Sequence, residues 1–145
     1  MNNSTPRYTF QCIIASIVCV ALMSSTKINP KQSNPWVAPS SANAMINPFK
    51  GNEKATMDGK KIYVQYCVVC HGDKGKGDGI AAAGLNPKPA DHTSDKIQCQ
   101  SDGAIFWKMT TGRSPMASYE KSLTVDQRWE LVNYIRTFKK VVAKK

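Results

Sequence analysis

Apolar positions between residues 59 and 70 recur with the spacing of a helix. Gly59, Ile62, Tyr63, Tyr66, Cys67 and Cys70 fall at i, i+3, i+4 and i+7 intervals, which marks one buried face. The eight residues after His71, GDKGKGDG, hold four glycines and break the pattern. Their spacing fits neither a P-loop nor an EF-hand, so the glycines are read as turn formers. Asn86-Pro87-Lys88-Pro89 forces extended chain, because a residue before proline is pushed out of the helical region. Ser101 or Asp102 is placed to cap a short helix through Ile105, Phe106, Trp107 and Met109. Gly112 and Pro115 turn residues 111–122 into a loop. The last helix has the clearest pattern. Thr124 and Gln127 have the spacing of a capping box, then Leu131, Tyr134, Ile135, Phe138 and Val142 line one side, with Trp129 and Val132 beside them. No stretch alternates as a strand does, so the pattern predicts an all-α domain over residues 53–145.

The preceding residues divide in two. Residues 10–23, FQCIIASIVCVALM, form an uncharged, mainly apolar run of 14. A membrane-spanning helix needs roughly 20 apolar residues, so residues 1–23 read as a signal peptide or a short N-terminal anchor. Ala42-Asn43-Ala44 has the residues of a cleavage site but lies far downstream, and Val18 before Cys19 is bulkier than a lipidation signal prefers. Residues 24–52 read as a linker, since Ser, Asn and Pro fill 13 of the 27 positions from 24 to 50. Trp36 and Phe49 are out of character there, and one of them is expected to dock on the domain that follows.

The chain of 145 residues accommodates one small domain with a leader and a tether, and is too short for a two-domain dinucleotide fold or a (β/α) barrel. Twenty Lys plus Arg against ten Asp plus Glu give a formal charge of +10, which suggests an acidic partner. No nucleic-acid-binding motif accompanies the charge, so nucleic acid is not the expected partner.

Five cysteines and two histidines narrow the chemistry. Cys67-Val68-Val69-Cys70-His71 is a C-x-x-C-H run, the attachment signature of c-type haem. Two thiols about one helical turn apart add to the two vinyl groups of one haem, and the imidazole that follows is held under the iron. A structural zinc site would need a second Cys or His pair, and a thioredoxin-like pair would sit near a βαβ pattern. A disulfide at this spacing would leave His71 unexplained. One such run implies one haem c. For the sixth iron ligand the candidates are His92, Met109 and Met116. Met109 has the spacing of a core residue, four after Ile105; His92 beside Asp91 suits a surface position; Met116 lies on a loop able to swing over the opposite haem face. Cys99 is an odd thiol, expected to be buried.

Residues 53–145 resemble a small class I cytochrome c domain, of the kind found in exported bacterial monohaem cytochromes. The resemblance rests on three motifs: Gly59-x-x-x-Tyr63-x-x-x-Cys67-x-x-Cys70-His71, Gly112-Arg113-Ser114-Pro115-Met116-Ala117-Ser118-Tyr119, and Trp129-Glu130-Leu131-Val132-Asn133-Tyr134-Ile135-Arg136. It implies a class I cytochrome c fold, with three to five short helices wrapped around one covalent haem. It also implies Met116 as distal iron ligand opposite His71, and a proline carbonyl, Pro87 before Pro89, accepting a hydrogen bond from the far nitrogen of His71. The family usually has Met-Pro in the late loop, whereas here Pro115 precedes Met116 and Ala117 follows it.

The function expected from these features is electron carriage rather than enzymatic turnover, between a redox protein donor and acceptor and without a small-molecule substrate. Lys74 and Lys76, close to the haem motif, are placed to steer acidic docking faces. The setting expected is the periplasm, free or tethered to the membrane through the N-terminus. Two alternatives follow from the same residues: a cytochrome subunit of a larger respiratory or dehydrogenase complex, and a haem domain with a displaceable distal ligand doing peroxidase-like or gas-binding chemistry.

Overall fold

A computed structural model of the chain describes residues 35–139; the leader at 1–23, the first part of the 24–52 segment, and Val142 lie outside the described residues. The described chain is helical. Its elements are α1 (Ser40–Asn43), α2 (Glu53–Tyr66), α3 (Val68–His71), a 3-10 turn (Ala82–Gly84), α4 (Asp95–Gln98), α5 (Asp102–Thr111) and α6 (Val125–Arg136). Among the described residues there is no strand, only an isolated bridge between Arg113 and Met116. Three helices are long, and the other three are single turns of four residues.

Local chemistry sets where the long helices begin. Asn52 caps α2 by accepting a hydrogen bond from the Ala55 amide at 3.0 Å. Ser101, rather than Asp102, caps α5, accepting from Ala104 N at 3.1 Å. Thr124 and Gln127 complete the capping box of α6: Thr124 Oγ1 accepts from Gln127 N at 3.2 Å, and Thr124 N donates to Gln127 Oε1 at 2.9 Å. The helix stops at Arg136, earlier than its apolar pattern suggests, and Phe138 enters the core from the turn that follows.

The α2–α6 pair forms the framework. At Gly59 the two backbones approach so closely that a methyl group would collide with the Glu130 carbonyl. The contact is with the α6 backbone itself, not with the aromatic side chains of that helix. Tyr63, Leu131 and Val132 are fully buried at this seam. Phe106 of α5 stacks on Trp129 of α6, ring centroids 4.0 Å apart, and the Arg128 guanidinium lies over Phe106. Met109 is core, as its spacing suggests.

The described part of the expected linker is packed against this framework. Ala38 and Ala42 are buried with Ala104, and Gly103 admits the Ala42 carbonyl where a side chain would clash. Trp36 lies against Trp107, centroids 6.5 Å apart, and Phe49 packs on the main core, so both aromatics dock. Asn47 is buried and donates to Asn133 Oδ1 at 2.8 Å, while its own Oδ1 accepts from Phe49 N at 3.0 Å. A Ser/Asn/Pro composition reads as a tether. Here Asn47 bonds to α6, Asn43 accepts from Ser101 at the start of α5, and the Ala42 backbone meets α5 at Gly103.

Substituting Gly59→Ala should lower stability by roughly 1–3 kcal/mol, because a methyl group against a backbone carbonyl can be relieved only by parting the helices. Gly84→Ala, where the space is open, should stay within about 0.5 kcal/mol. Guanidinium unfolding followed by far-ultraviolet circular dichroism distinguishes the two; equal midpoints would sink the packing account.

Candidate functional site

Cys67 sits at the junction of α2 and α3, its amide still bonded to the Tyr63 carbonyl at 2.8 Å, and His71 N returns to Cys67 O at 2.8 Å. This short turn presents Cys67, Cys70 and His71 together at the end of the α2–α6 framework. Cys67 is buried and Cys70 partly so, and all three described cysteines are free thiols. Burial pushes the Cys67 thiol up to about 12, so it stays protonated and uncharged.

The His71 ring is held from two directions. Its Nδ1–H donates to the Ala90 carbonyl at 3.0 Å. The acceptor is therefore Ala90, not Pro87 as expected, and not Pro89. The cause is not local: His92 N bonds Gly75 O at 2.6 Å, which anchors the segment just past Ala90 to the glycine-rich turn that follows His71 and leaves the Ala90 carbonyl at the ring. Fixing the proton on Nδ1 leaves Nε2 as the nitrogen with a free lone pair. Burial lowers the His71 pKa, opposed by the bond to Ala90, so the neutral form is favoured.

His92 corrects a second expectation. It is buried rather than on the surface, and its ring is stacked on that of His71 with centroids 4.1 Å apart and planes at 18°. Phe138 lies on its other side at 6.2 Å, and the Tyr63 hydroxyl is 3.4 Å from its Nδ1. Burial, reinforced by His71, lowers its pKa to about 3, so it is neutral. Tyr63 in turn donates to the Gly72 carbonyl at 3.1 Å. Nothing in the local sequence signalled this, because the partners lie 29 and 46 residues away; an apolar helix face at Tyr63 and an aromatic at Phe138 were the only available hints.

Met116 is half-buried against the main core, in a loop pinned by reciprocal backbone bonds with Arg113 at 3.0 and 2.9 Å. Tyr119, three residues on, donates its hydroxyl to the Tyr66 carbonyl at 3.2 Å and so ties this loop to the end of α2. Lys74 and Lys76 are exposed beside a groove lined by Val68, Val69 and Ile80, but the same loop carries Asp73 and Asp78, so residues 72–79 have no net charge. Cys99 is exposed, contrary to expectation, because it caps the end of the single-turn α4 facing outward.

The donor set fits a covalently attached haem. Two thiols a turn apart, an imidazole with one nitrogen fixed and the other free, and an apolar surround including Tyr66, Val68, Met116 and Tyr119 are the groups that such a macrocycle needs. Among the described residues no three His, Cys, Asp or Glu side chains converge to chelate a bare ion.

An all-helical fold around C-x-x-C-H defines a c-type cytochrome domain, a class that carries haem c covalently. Residues 54–135 match the family described as cytochrome c oxidase, cbb3-type, subunit III, and the chain belongs to that family. It is similar to the cytochrome c subunits of quinone alcohol dehydrogenase from Gluconacetobacter polyoxogenes and Komagataeibacter europaeus. Each is 29% identical over 121 residues, 80% of this chain. The chain spans only about a quarter of the length of these relatives. Among solved structures, it resembles a chain of the Kuenenia stuttgartiensis reducing HAO-like protein complex Kustc0457/Kustc0458. That match has a TM-score of 0.59 and 33% identity over 64% of this chain and 47% of the other. It also resembles the KustC0563 c-type cytochrome, with a TM-score of 0.50 and 30% identity over 57% of this chain and 99% of that one.

Proposed function

We propose that this chain is a single-electron carrier with one haem c, attached through Cys67 and Cys70, with His71 as proximal and Met116 as distal iron ligand. The observation that carries the proposal is the fixed tautomer of His71: its Nδ1–H is committed to Ala90, which leaves Nε2 free to bind iron. When bound, the haem supplies one-electron cycling between ferric and ferrous iron. The protein contributes the rest. Tyr63 and Tyr119 keep their protons, since burial raises the pKa of Tyr63, and of Tyr119 to about 12. A thioether from Met116 is soft and neutral, which favours the ferrous state and raises the reduction potential. With that position filled, peroxidase-like or gas-binding chemistry lacks an open coordination site.

The working partners proposed are a redox protein donor and acceptor, with the protein outside the cytoplasm in the periplasm, either free or tethered by its N-terminal segment. Attraction to acidic faces rests on the +10 of the whole chain and not on the balanced loop holding Lys74 and Lys76. Among the described residues no helix is long and apolar enough to cross a membrane. A second reading, the cytochrome subunit of a larger redox assembly, is favoured by the relatives, whose names place them as subunits of a dehydrogenase and a multiprotein complex. Stoichiometric co-purification with other chains from membranes would select it over the free carrier.

The thioether assignment predicts that Cys67→Ser combined with Cys70→Ser releases haem from the denatured chain, whereas the wild type keeps it through denaturing electrophoresis. Haem that separates from the wild-type chain would overturn the assignment. For Met116, the ferric wild type should show the weak far-red sulfur-to-iron band, and the ferrous protein should resist carbon monoxide. Met116→Ala should lose the band, bind carbon monoxide readily, and have a lower reduction potential. Ready carbon monoxide binding by a wild type without the band would remove the carrier reading and favour the open-site alternative.

A further inference from the structure

The environment of His92 is more elaborate than a packing role requires. Its backbone is fixed at both ends: the amide donates to Gly75 O at 2.6 Å, and the carbonyl accepts from Gln98 Nε2 at 2.7 Å. Gln98 also donates to the Ile135 carbonyl at 3.0 Å, which ties this segment to α6. Gly75, at φ +69°, has no room for a side chain between Phe138 and the His92 Cβ. The ring is thus held between His71 on one face and Phe138 on the other, with Tyr63 at its edge. Since the Tyr63 proton is donated to Gly72 O, the contact with His92 is satisfied by the tautomer that carries its proton on Nδ1.

We propose that His92 is a positioning residue for the iron ligand, its flat ring fixing how the His71 imidazole is rotated about the axis from Nε2 to the iron. The inference rests on His71 being that ligand. A single hydrogen bond from Nδ1 to Ala90 does not fix the rotation tightly, because N–H···O angles remain favourable over roughly 30° from linear. A planar ring at stacking distance restricts the same swing sterically on the face it covers. Ring orientation matters because it decides which iron d orbital the imidazole π system overlaps, and axial-ligand interactions are among the means by which a protein tunes its haem.

The test uses the full haem-loaded protein. In ferric wild type, the hyperfine-shifted haem-methyl resonances report the orientation of the proximal ring. His92→Leu fills the volume without a flat face and should reorder or compress the spread of those shifts. His92→Phe restores a flat face and should return the pattern towards wild type, although it lacks the Tyr63 contact. Circular dichroism and covalent haem content should be unchanged in both. A wild-type pattern in His92→Leu would overturn the proposal while leaving His71 ligation intact. Absence of hyperfine-shifted His71 ring signals in the wild type would instead remove the ligation itself, and the proposal with it. Should the leucine variant fail to fold, the ferrous wild type provides a second measurement. Nuclear Overhauser contacts between the His71 and His92 rings support the proposal, and their absence overturns it.

Discussion

The contact between α2 and α6 at Gly59 governs the geometry of everything downstream. One methyl group at that position would part the two backbones, and α2 ends within a residue of Cys67, so any parting would move the thiols relative to α6. The same seam buries Tyr63, which reaches both Gly72, after the haem motif, and His92, beside His71. Helix packing and the site are therefore one construction. The aromatic cluster of Tyr63, Tyr134 and Phe138, with ring centroids 5.2–5.3 Å apart, fills the angle between the last turn of α6 and the His92 segment.

Features with a local cause were legible in the sequence. The capping box at Thr124 and Gln127, the cap at Ser101, the glycine-rich turn after His71 and the core position of Met109 each depend on residues within a few positions of one another. Features with a distant cause were not. Asn47 and Asn133 are 86 residues apart, and nothing near Asn47 distinguishes a buried asparagine from one in a solvated tether. His92 beside Asp91 has the local look of a surface residue, and its burial depends on Tyr63 and Phe138. The choice of Ala90 over Pro87 depends on where the chain turns back, which the Gly75–His92 backbone bond decides. Cys99 failed for the converse reason: free cysteines are commonly buried, but a one-turn helix leaves its end open.

Charge illustrates a similar separation of scale. A total of +10 is a property of the chain as a whole, whereas docking depends on the charges nearest the haem motif. There Asp73 and Asp78 offset Lys74 and Lys76, leaving the exposed Val69 and Ile80 as the more distinctive features of that loop. Long-range attraction can bring an acidic partner close without setting its final orientation, and local apolar contact can set orientation without long-range attraction.

A carrier that exchanges single electrons benefits from surroundings that do not rearrange when the charge on its metal changes, since every group that must move adds to the barrier. The supports around His71 fit that requirement. Ala90 holds one edge, His92 covers one face, and both belong to a segment bonded to the glycine-rich turn and to Gln98 of α4, which in turn bonds α6. Those supports come from parts of the chain that cannot shift independently. Tyr119 does the same for the Met116 loop through its bond to the end of α2. Both candidate ligands are thus referred back to α2, which runs up to Cys67. His71 is tied to it through the contact of His92 with Tyr63, and Met116 through the bond of Tyr119 to Tyr66, so rigidity at the site follows from shared anchorage.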